Sequence, residues 1–320
     1  MKNGMTIIIC THNGAARLSQ TIIHITQQVV SPSIHWEVIL ADNGSSDDTI
    51  ATAETIWNAN CPENIPFRII KEPKPGKLYA LQKAIQTAEY EFLIICDDDN
   101  WLAPDYIEKA YNILHTMPEV AAAGGRGIPA TDASELPDWF AAHSQDYATG
   151  PQADKNGILK PGSRLWGAGL VTRRSVYLNM YKNYQSFLEE SEVNILSAED
   201  TEYCLRLTLK GYKLYYDDRL VYQHFIGAHK LNTEFRDQLV KGFRDSDAIL
   251  LKYYVAIKVH VDTGRSFNRT KLLLAMPFRL LFAFSKRRTE KARNILFHLL
   301  PFDIPTDDIS KRIKAFIQND

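Results

Sequence analysis

The sequence predicts an α/β fold: a mostly parallel central sheet of Rossmann-like type, flanked by helices, with a helical C-terminal extension. Three observations predict it. Short, unbroken apolar runs alternate with segments of helical spacing over about the first hundred residues, the pattern of successive βαβ units. Each of three runs ends in a polar, ligand-ready loop: Thr11-His12-Asn13, Asp42-Asn43 and Asp97-Asp98-Asp99. After about residue 240 the remaining chain is helical in pattern.

Met5 to Cys10 is a run without alternation, as expected of a strand covered on both faces. Thr11-His12-Asn13-Gly14 then turns the chain, and Leu18, Ile22, Ile25 and Val29 carry helical spacing from Ala15 to about Gln28. A second strand, Trp36 to Leu40, runs into a polar turn. There Ser46 or Asp47 is placed to cap a helix from about Thr49 to Asn58. Phe67 to Ile70 reads as a third strand, and Leu78, Leu81, Ile85 and Ala88 as the face of a third helix. The fourth strand, Phe92 to Cys96, delivers the aspartates. A helix from Pro104 to about His115 and a strand at Val120 to Ala123 follow.

From about Arg126 to Arg164 the chain is rich in Gly, Pro, Asp and Ala, and Trp139, Phe140 and Tyr147 show no clear period. Long loops with short helices are expected there, of the kind that forms a lid or substrate wall. Trp166-Gly167-Ala168-Gly169 leads into a short strand, its glycines serving either close approach of a ligand or a tight bend. Ser197 to Gly211 has helix grammar: Ser197 or Asp200 for a cap, acids in the first turn, Gly211 as the stop. Two strands, Lys213 to Tyr216 and Leu220 to Phe225, are separated by Asp217-Asp218-Arg219.

Bulk numbers narrow the class. With 37 Lys and Arg against 38 Asp and Glu, net charge is -1, which gives no electrostatic footprint for nucleic acid. The four cysteines (Cys10, Cys61, Cys96, Cys204) are far apart, as in a reducing compartment. The opening apolar run is too short for a signal peptide, and no stretch approaches the roughly 18 apolar residues of a spanning helix. A cytoplasmic protein is expected.

The chemistry gathers at Asp97-Asp98-Asp99. Adjacent ionised carboxylates repel, and a cation is the simplest thing that makes the run tolerable. Hard divalent ions take oxygen ligands, usually one or two carboxylates plus substrate phosphates. An ordinary solvated turn is the other account. Right-handed crossovers bring the strand ends to one edge of the sheet, so Thr11, Asp42 and Asp99 are expected to share a site.

Six segments in order make the chain resemble the family 2 glycosyltransferases of GT-A fold, over roughly Met5 to Ile226. They are Thr6 to Asn13, Ala41 to Ser45, Gly76 to Ile85, Asp97 to Trp101, Ala198 to Glu202, and Gly211-Tyr212 through His224. The resemblance implies a nucleotide-sugar donor, expected to be a UDP-sugar, a divalent ion (Mn²⁺ or Mg²⁺), and inversion at the anomeric carbon. By position it assigns Thr11 and Asp42 to the base, Lys77 to the base or diphosphate, Asp97 and Asp98 to the ribose, and Asp99 with His224 to the metal. Asp200 matches the catalytic base. Glu199, Trp166, Gly167, Ala168 and Gly169 fall on the acceptor side. No Gln-x-x-Arg-Trp element of the processive synthases is visible, which favours single additions.

The division expected is a GT-A catalytic domain over residues 1–235 and a mainly helical, basic and amphipathic extension over 236–320. From 265 to 293 there are nine Lys or Arg (Arg265, Arg269, Lys271, Arg279, Lys286, Arg287, Arg288, Lys291, Arg293) against Glu290. Such a helix either lies on the anionic inner membrane surface, suiting a lipid-linked acceptor, or packs on the catalytic domain. Two alternatives to a transferase of sugars onto glycans are a catalytically silent nucleotide-sugar-binding protein and a sugar nucleotidyltransferase. The latter wants a Gly-rich phosphate loop, and Thr11 to Arg17 holds one glycine.

Overall fold

The computed structural model describes residues 2–61, 64–188, 198–261 and 307–318. Strands β1 (Lys2–Thr11), β2 (Trp36–Asp42), β3 (Phe67–Lys71) and β4 (Tyr90–Asp97) pair in parallel in the order β3-β2-β1-β4. Ile7, Ile8, Ile9, Val38, Ile39, Leu93 and Ile94 are fully buried, which is why these strands show no polar alternation. Side chains alternate across a strand. Ile7, Ile9, Val38, Leu40 and Ile94 therefore pack together with Leu18 and Ile22 of α1 (Leu18–Thr26), Trp57 of α2 (Thr49–Asn60) and Ile107 of α4 (Tyr106–Thr116). Each such side chain contributes about 1.5–3 kcal/mol by leaving water. Helix α3 (Lys77–Thr87) packs against β1 and β2, and α6 (Arg174–Tyr181) against β4.

The chain steps outward from β1 to β3, then returns to place β4 on the other side of β1. Strand order therefore reverses between β1 and β4, and the crevice at their C-terminal ends is where open α/β sheets receive ligands. Beyond β4 the sheet is mixed. Strand β8 (Leu170–Arg173) runs antiparallel to β4 and to β6 (Val120–Ala130). Strand β9 (Lys213–Phe225) is parallel to β6, and antiparallel to β5 (Asn100–Leu102) and β7 (Gly157–Ile158). Antiparallel neighbours need no crossover helix, so the short strands β5, β7 and β8 can fill these places.

Three local features differ from the sequence expectation. Strand β6 continues to Ala130 because β9 pairs along its whole length. The two strands expected at 213–216 and 220–225 are one, with pairing that jumps from Gly124–Tyr216 to Arg126–Val221. Asp217 and Arg219 close the resulting bulge on themselves (2.7 Å), and a Cβ on Gly125 would meet the Leu220 carbonyl at 1.7 Å. Helix α6 had no counterpart in the sequence expectation. The short helix α5 (Phe140–His143) and a 3-10 turn (Ser144–Tyr147) do interrupt the 126–164 stretch as expected.

Helix α7 (Glu199–Leu209) ends at Gly211 in the left-handed region (φ 80°), with Tyr212 N–H donating to the Leu207 carbonyl at 3.0 Å. The chain divides into two compact units, residues 1–250 and 251–320. Helix α8 (Thr233–Val261) supplies residues to both, whereas the sequence expectation placed the boundary at 235. In the second unit, Asp307 accepts the Ser310 N–H (3.1 Å) at the start of α9 (Asp308–Gln318) and pairs with Lys252 at 2.6 Å. Ser197 and the basic stretch 265–293 lie outside the described residues. Among the described residues no helix is long and apolar enough to cross a membrane.

Candidate active site

Strand register builds the floor of the crevice. Thr11 pairs with Asp42 across β1 and β2, and Cys10 with Asp97 across β1 and β4, so the polar ends of three strands lie at one level. Asp42 is buried, its Oδ1 accepting the Ser45 N–H (3.2 Å). Asn43 ties this end to the next loop: its amide donates to the carbonyls of Glu72 (2.9 Å) and Lys74 (2.7 Å), and its oxygen accepts the Gly76 N–H (2.8 Å). That loop presents Lys77, the first residue of α3, to the crevice.

Asp98 differs from its expected place at the ribose. Thr11 Oγ1 donates to its Oδ2 (2.6 Å) and Arg17 Nε to its Oδ1 (2.7 Å), so both oxygens are engaged in holding the β1–α1 loop. Arg17 also donates to the carbonyls of His12 and Asn13, while Thr21 donates to the Asp98 carbonyl (2.8 Å). Burial pushes the Asp98 carboxyl above its ordinary range, partly offset by Arg17. Asp98 acts here as a brace for the loop. The same bond engages the Thr11 hydroxyl that the expectation had placed beside the base.

A cavity of about 460 Å³ opens at the Asp97 end of this floor, walled by Lys77, Asp97, Trp166, Glu199, Asp200 and His224; Thr11, Asp42 and Asp99 lie outside its lining. Lys77 Nζ pairs with Asp97 Oδ1. Burial disfavours the Lys77 ammonium, yet Asp97 and Glu199 more than compensate and raise it above its ordinary range. Burial lifts Glu199 to about 7, with Lys77 pulling the other way. Asp200 Oδ2 accepts the Gly167 N–H (2.7 Å) and Oδ1 the Thr201 N–H (2.6 Å). Oδ1 also accepts the Thr201 hydroxyl (3.3 Å), so the carboxylate is fixed in direction and Oδ2 keeps the lone pair that can take a proton.

The far end of the aspartate run is set by β5 and β9, whose register puts Asn100 opposite His224. His224 Nδ1 lies 2.7 Å from the Tyr147 carbonyl and so donates to it, which turns Nε2 towards Asp99 Oδ1 at 3.5 Å. Lys230 Nζ lies 3.5 Å from Asp99 Oδ2. Burial opposes ionisation of Asp99, but His224 and Lys230 hold it well below the usual carboxylate range. His224 is raised in turn, Asp99 outweighing the effect of burial. The oxygen and imidazole donors fit a divalent ion: the ring orientation set by Tyr147 aims Nε2 at the Asp99 carboxylate, the usual way a ligating histidine is directed. No group of three or more His, Cys, Asp or Glu among the described residues forms a metal site by itself, so an ion held here would need further ligands from phosphates and water.

Two family models match the chain: Glycosyl transferase family 2 over residues 6–168, about half the chain, and Glycosyl transferase family group 2 over residues 92–300. The chain belongs to the family 2 glycosyltransferases. A curated relative, the dolichyl N-acetyl-alpha-D-glucosaminyl phosphate 3-beta-D-2,3-diacetamido-2,3-dideoxy-beta-D-glucuronosyltransferase of Methanococcus voltae, is 25% identical over 235 residues, covering 70% of this chain and 67% of the relative. Among solved structures, the mannosyltransferase PcManGT from Pyrobaculum calidifontis, in complex with GDP-Man and Mn²⁺, superposes with TM-score 0.55 at 16% identity, covering 99% of this chain and 85% of that one. S. aureus TarS 1-349 in complex with UDP gives TM-score 0.53 at 15% identity, covering 92% and 86%. These likenesses establish the GT-A fold.

In this glycosyltransferase the acceptor-side candidates divide. Trp166 and Gly167 wall the cavity beside Glu199 and Asp200. Ala168 also lines it but is buried, and Gly169 serves a tight bend: its φ is 68°, its carbonyl accepts the Tyr106 hydroxyl at 2.6 Å, and a Cβ would meet that hydroxyl at 2.5 Å. Four residues at the site escaped the sequence expectation: Arg17, Asn43, Tyr147 and Lys230. Asn43 and Lys230 had a signal, one in the Asp42 loop and the other six residues past His224; Arg17 and Tyr147 had none.

Proposed function

We propose that this glycosyltransferase is inverting and metal-dependent. It moves one sugar from a nucleoside-diphosphate donor, a UDP-sugar, to a hydroxyl of a glycan or lipid-linked acceptor in polysaccharide or glycoconjugate assembly. The observation that carries the proposal is a single cavity lined both by the polar end of β4 at Asp97, with Lys77 and His224, and by the backbone-anchored Asp200. Thr11 and Asp42 mark the nucleoside end, Asp97 and Lys77 the ribose and diphosphate. A divalent ion held by Asp99 and His224 would supply Lewis-acid stabilisation of the departing diphosphate. Asp200 takes the proton of the acceptor hydroxyl as it attacks, an effect worth about 10² to 10⁴ in rate. One carboxylate working opposite the leaving group gives a single displacement, hence inversion. The acceptor class draws on the Methanococcus voltae relative, whose name specifies a dolichyl-linked sugar phosphate.

The test is a panel of UDP- and GDP-sugars with Mn²⁺, read by thermal unfolding. A bound donor at a hundred times its Kd stabilises by about 2.7 kcal/mol, and one donor is expected to raise Tm clearly above the others. If none shifts Tm, the donor reading is wrong.

A further inference from the structure

The three aspartates each have a basic side chain as partner: Arg17 for Asp98 at 2.7 Å, Lys77 for Asp97, and Lys230 for Asp99 at 3.5 Å. The first two are accounted for by the loop and the cavity wall. Lys230 is not. It ends a 3-10 turn (Ala228–Lys230) held in place by the Asp132 carboxylate, which accepts the Ala228 N–H at 2.7 Å, and its side chain is 30% exposed. Tyr147 orients both groups that face Asp99: its carbonyl accepts from His224 Nδ1, and its hydroxyl donates to the Lys230 carbonyl at 3.0 Å. One buried tyrosine thus sets an imidazole over one oxygen of Asp99 and holds the backbone of the lysine that faces the other.

We infer that Lys230 is a built-in cation of the donor site, which takes over part of the work of the divalent ion by neutralising Asp99 and contacting the donor's diphosphate. The inference rests on the donor reading above. Without such a cation, a diphosphate brought up to Asp99 meets a carboxylate with His224 alone beside it. With Lys230 in place, the nucleotide binds to some extent without metal, and the metal adds to a site already partly neutralised. Lysine suits this as a compact point charge on a flexible stem that is free to lean from carboxylate to phosphate.

The test measures UDP affinity by calorimetry in EDTA and in saturating Mn²⁺, for wild type, Lys230→Met and Lys230→Arg. Wild type is expected to bind UDP measurably in EDTA. In Lys230→Met the ratio of affinities with and without Mn²⁺ should grow at least tenfold, because the metal then replaces the lysine's charge at Asp99. Lys230→Arg should keep the ratio within about threefold of wild type. An unchanged or smaller ratio in Lys230→Met, or a wild type that binds UDP in Mn²⁺ but not at all in EDTA, overturns the inference alone. A residue needed merely for folding would weaken both affinities together and leave the ratio where it was. Wild type that binds neither UDP nor GDP under either condition overturns the donor reading, and this inference with it.

Discussion

Asp200 and Glu199 are neighbours in sequence with opposite circumstances. Asp200 is pinned by two backbone N–H groups, whereas Glu199 is lifted to about 7 by burial beside Lys77. Asp200→Asn retains one acceptor oxygen and loses the proton sink. Transfer is expected to fall by about 10² to 10⁴ with UDP affinity within about twofold of wild type, by steady-state kinetics and calorimetry. Glu199 carries a pH signature. Its folded pKa lies above the ordinary 4.5, so the native state binds more protons than the unfolded chain between about 4.5 and 7, and stability falls as pH rises through that window. Glu199→Gln removes this dependence. It is expected to exceed wild type by about 1–2 kcal/mol at pH 8, allowing for partial exposure, and to match it near pH 4.5, by urea denaturation at each pH. Asp97, Asp99 and His224 stood out as candidates in sequence because residue type and strand-end position coincide, and Asp200 because it opens helix α7. The role of Asp98 was not, since nothing in a run of identical carboxylates says which one turns inward to Thr11 and Arg17.

Among the elements, the β1–α1 loop and helix α7 depend most on single residues. Gly14 sits against the Thr11–Asp98 hydrogen bond: a Cβ there would meet Thr11 Oγ1 at 2.2 Å and Asp98 Oδ2 at 2.7 Å. Gly14→Ala is expected to cost about 1–3 kcal/mol and to weaken UDP binding, by denaturation and calorimetry. On α7, Glu202 and Arg206 form a fully buried pair at 2.9 Å. Glu202 also accepts the Phe187 N–H and the Ser186 hydroxyl, and Arg206 donates to the carbonyls of Met180, Tyr184 and Gln185. This clasp fixes the chain that leads towards the Glu199–Asp200 pair. Arg206→Met strands a buried carboxylate and is expected to cost about 3–5 kcal/mol by the same denaturation measurement. Helix grammar announced α7 clearly in sequence. Its fully buried ion pair was hidden, because Glu and Arg at i, i+4 read as a solvated face until the segment they hold is seen.

For the whole molecule, the parallel half of the sheet was written plainly in unbroken apolar runs. The mixed half was not, because β5, β7 and β8 are of four residues or fewer and take their direction from long-range pairing with β4, β6 and β9. The two halves divide the site as well. Asp42, Thr11 and Asp97 come from the parallel strands, while Asp99 and His224 are set by the antiparallel β5–β9 pair. That second half leans on a small hydrophobic cluster of Phe140, Tyr147 and Ile226, with Trp139 and Phe235 packed against it and separate from the main core.

Tyr147 therefore belongs to a patch of few members whose cohesion is slight beside that of the sheet, yet it aligns two groups on Asp99. Warming should loosen this patch first. Catalysis is expected to fade at temperatures several degrees below the loss of far-ultraviolet ellipticity and to return fully on cooling, so the working ceiling of the enzyme is set by a handful of rings rather than by its bulk.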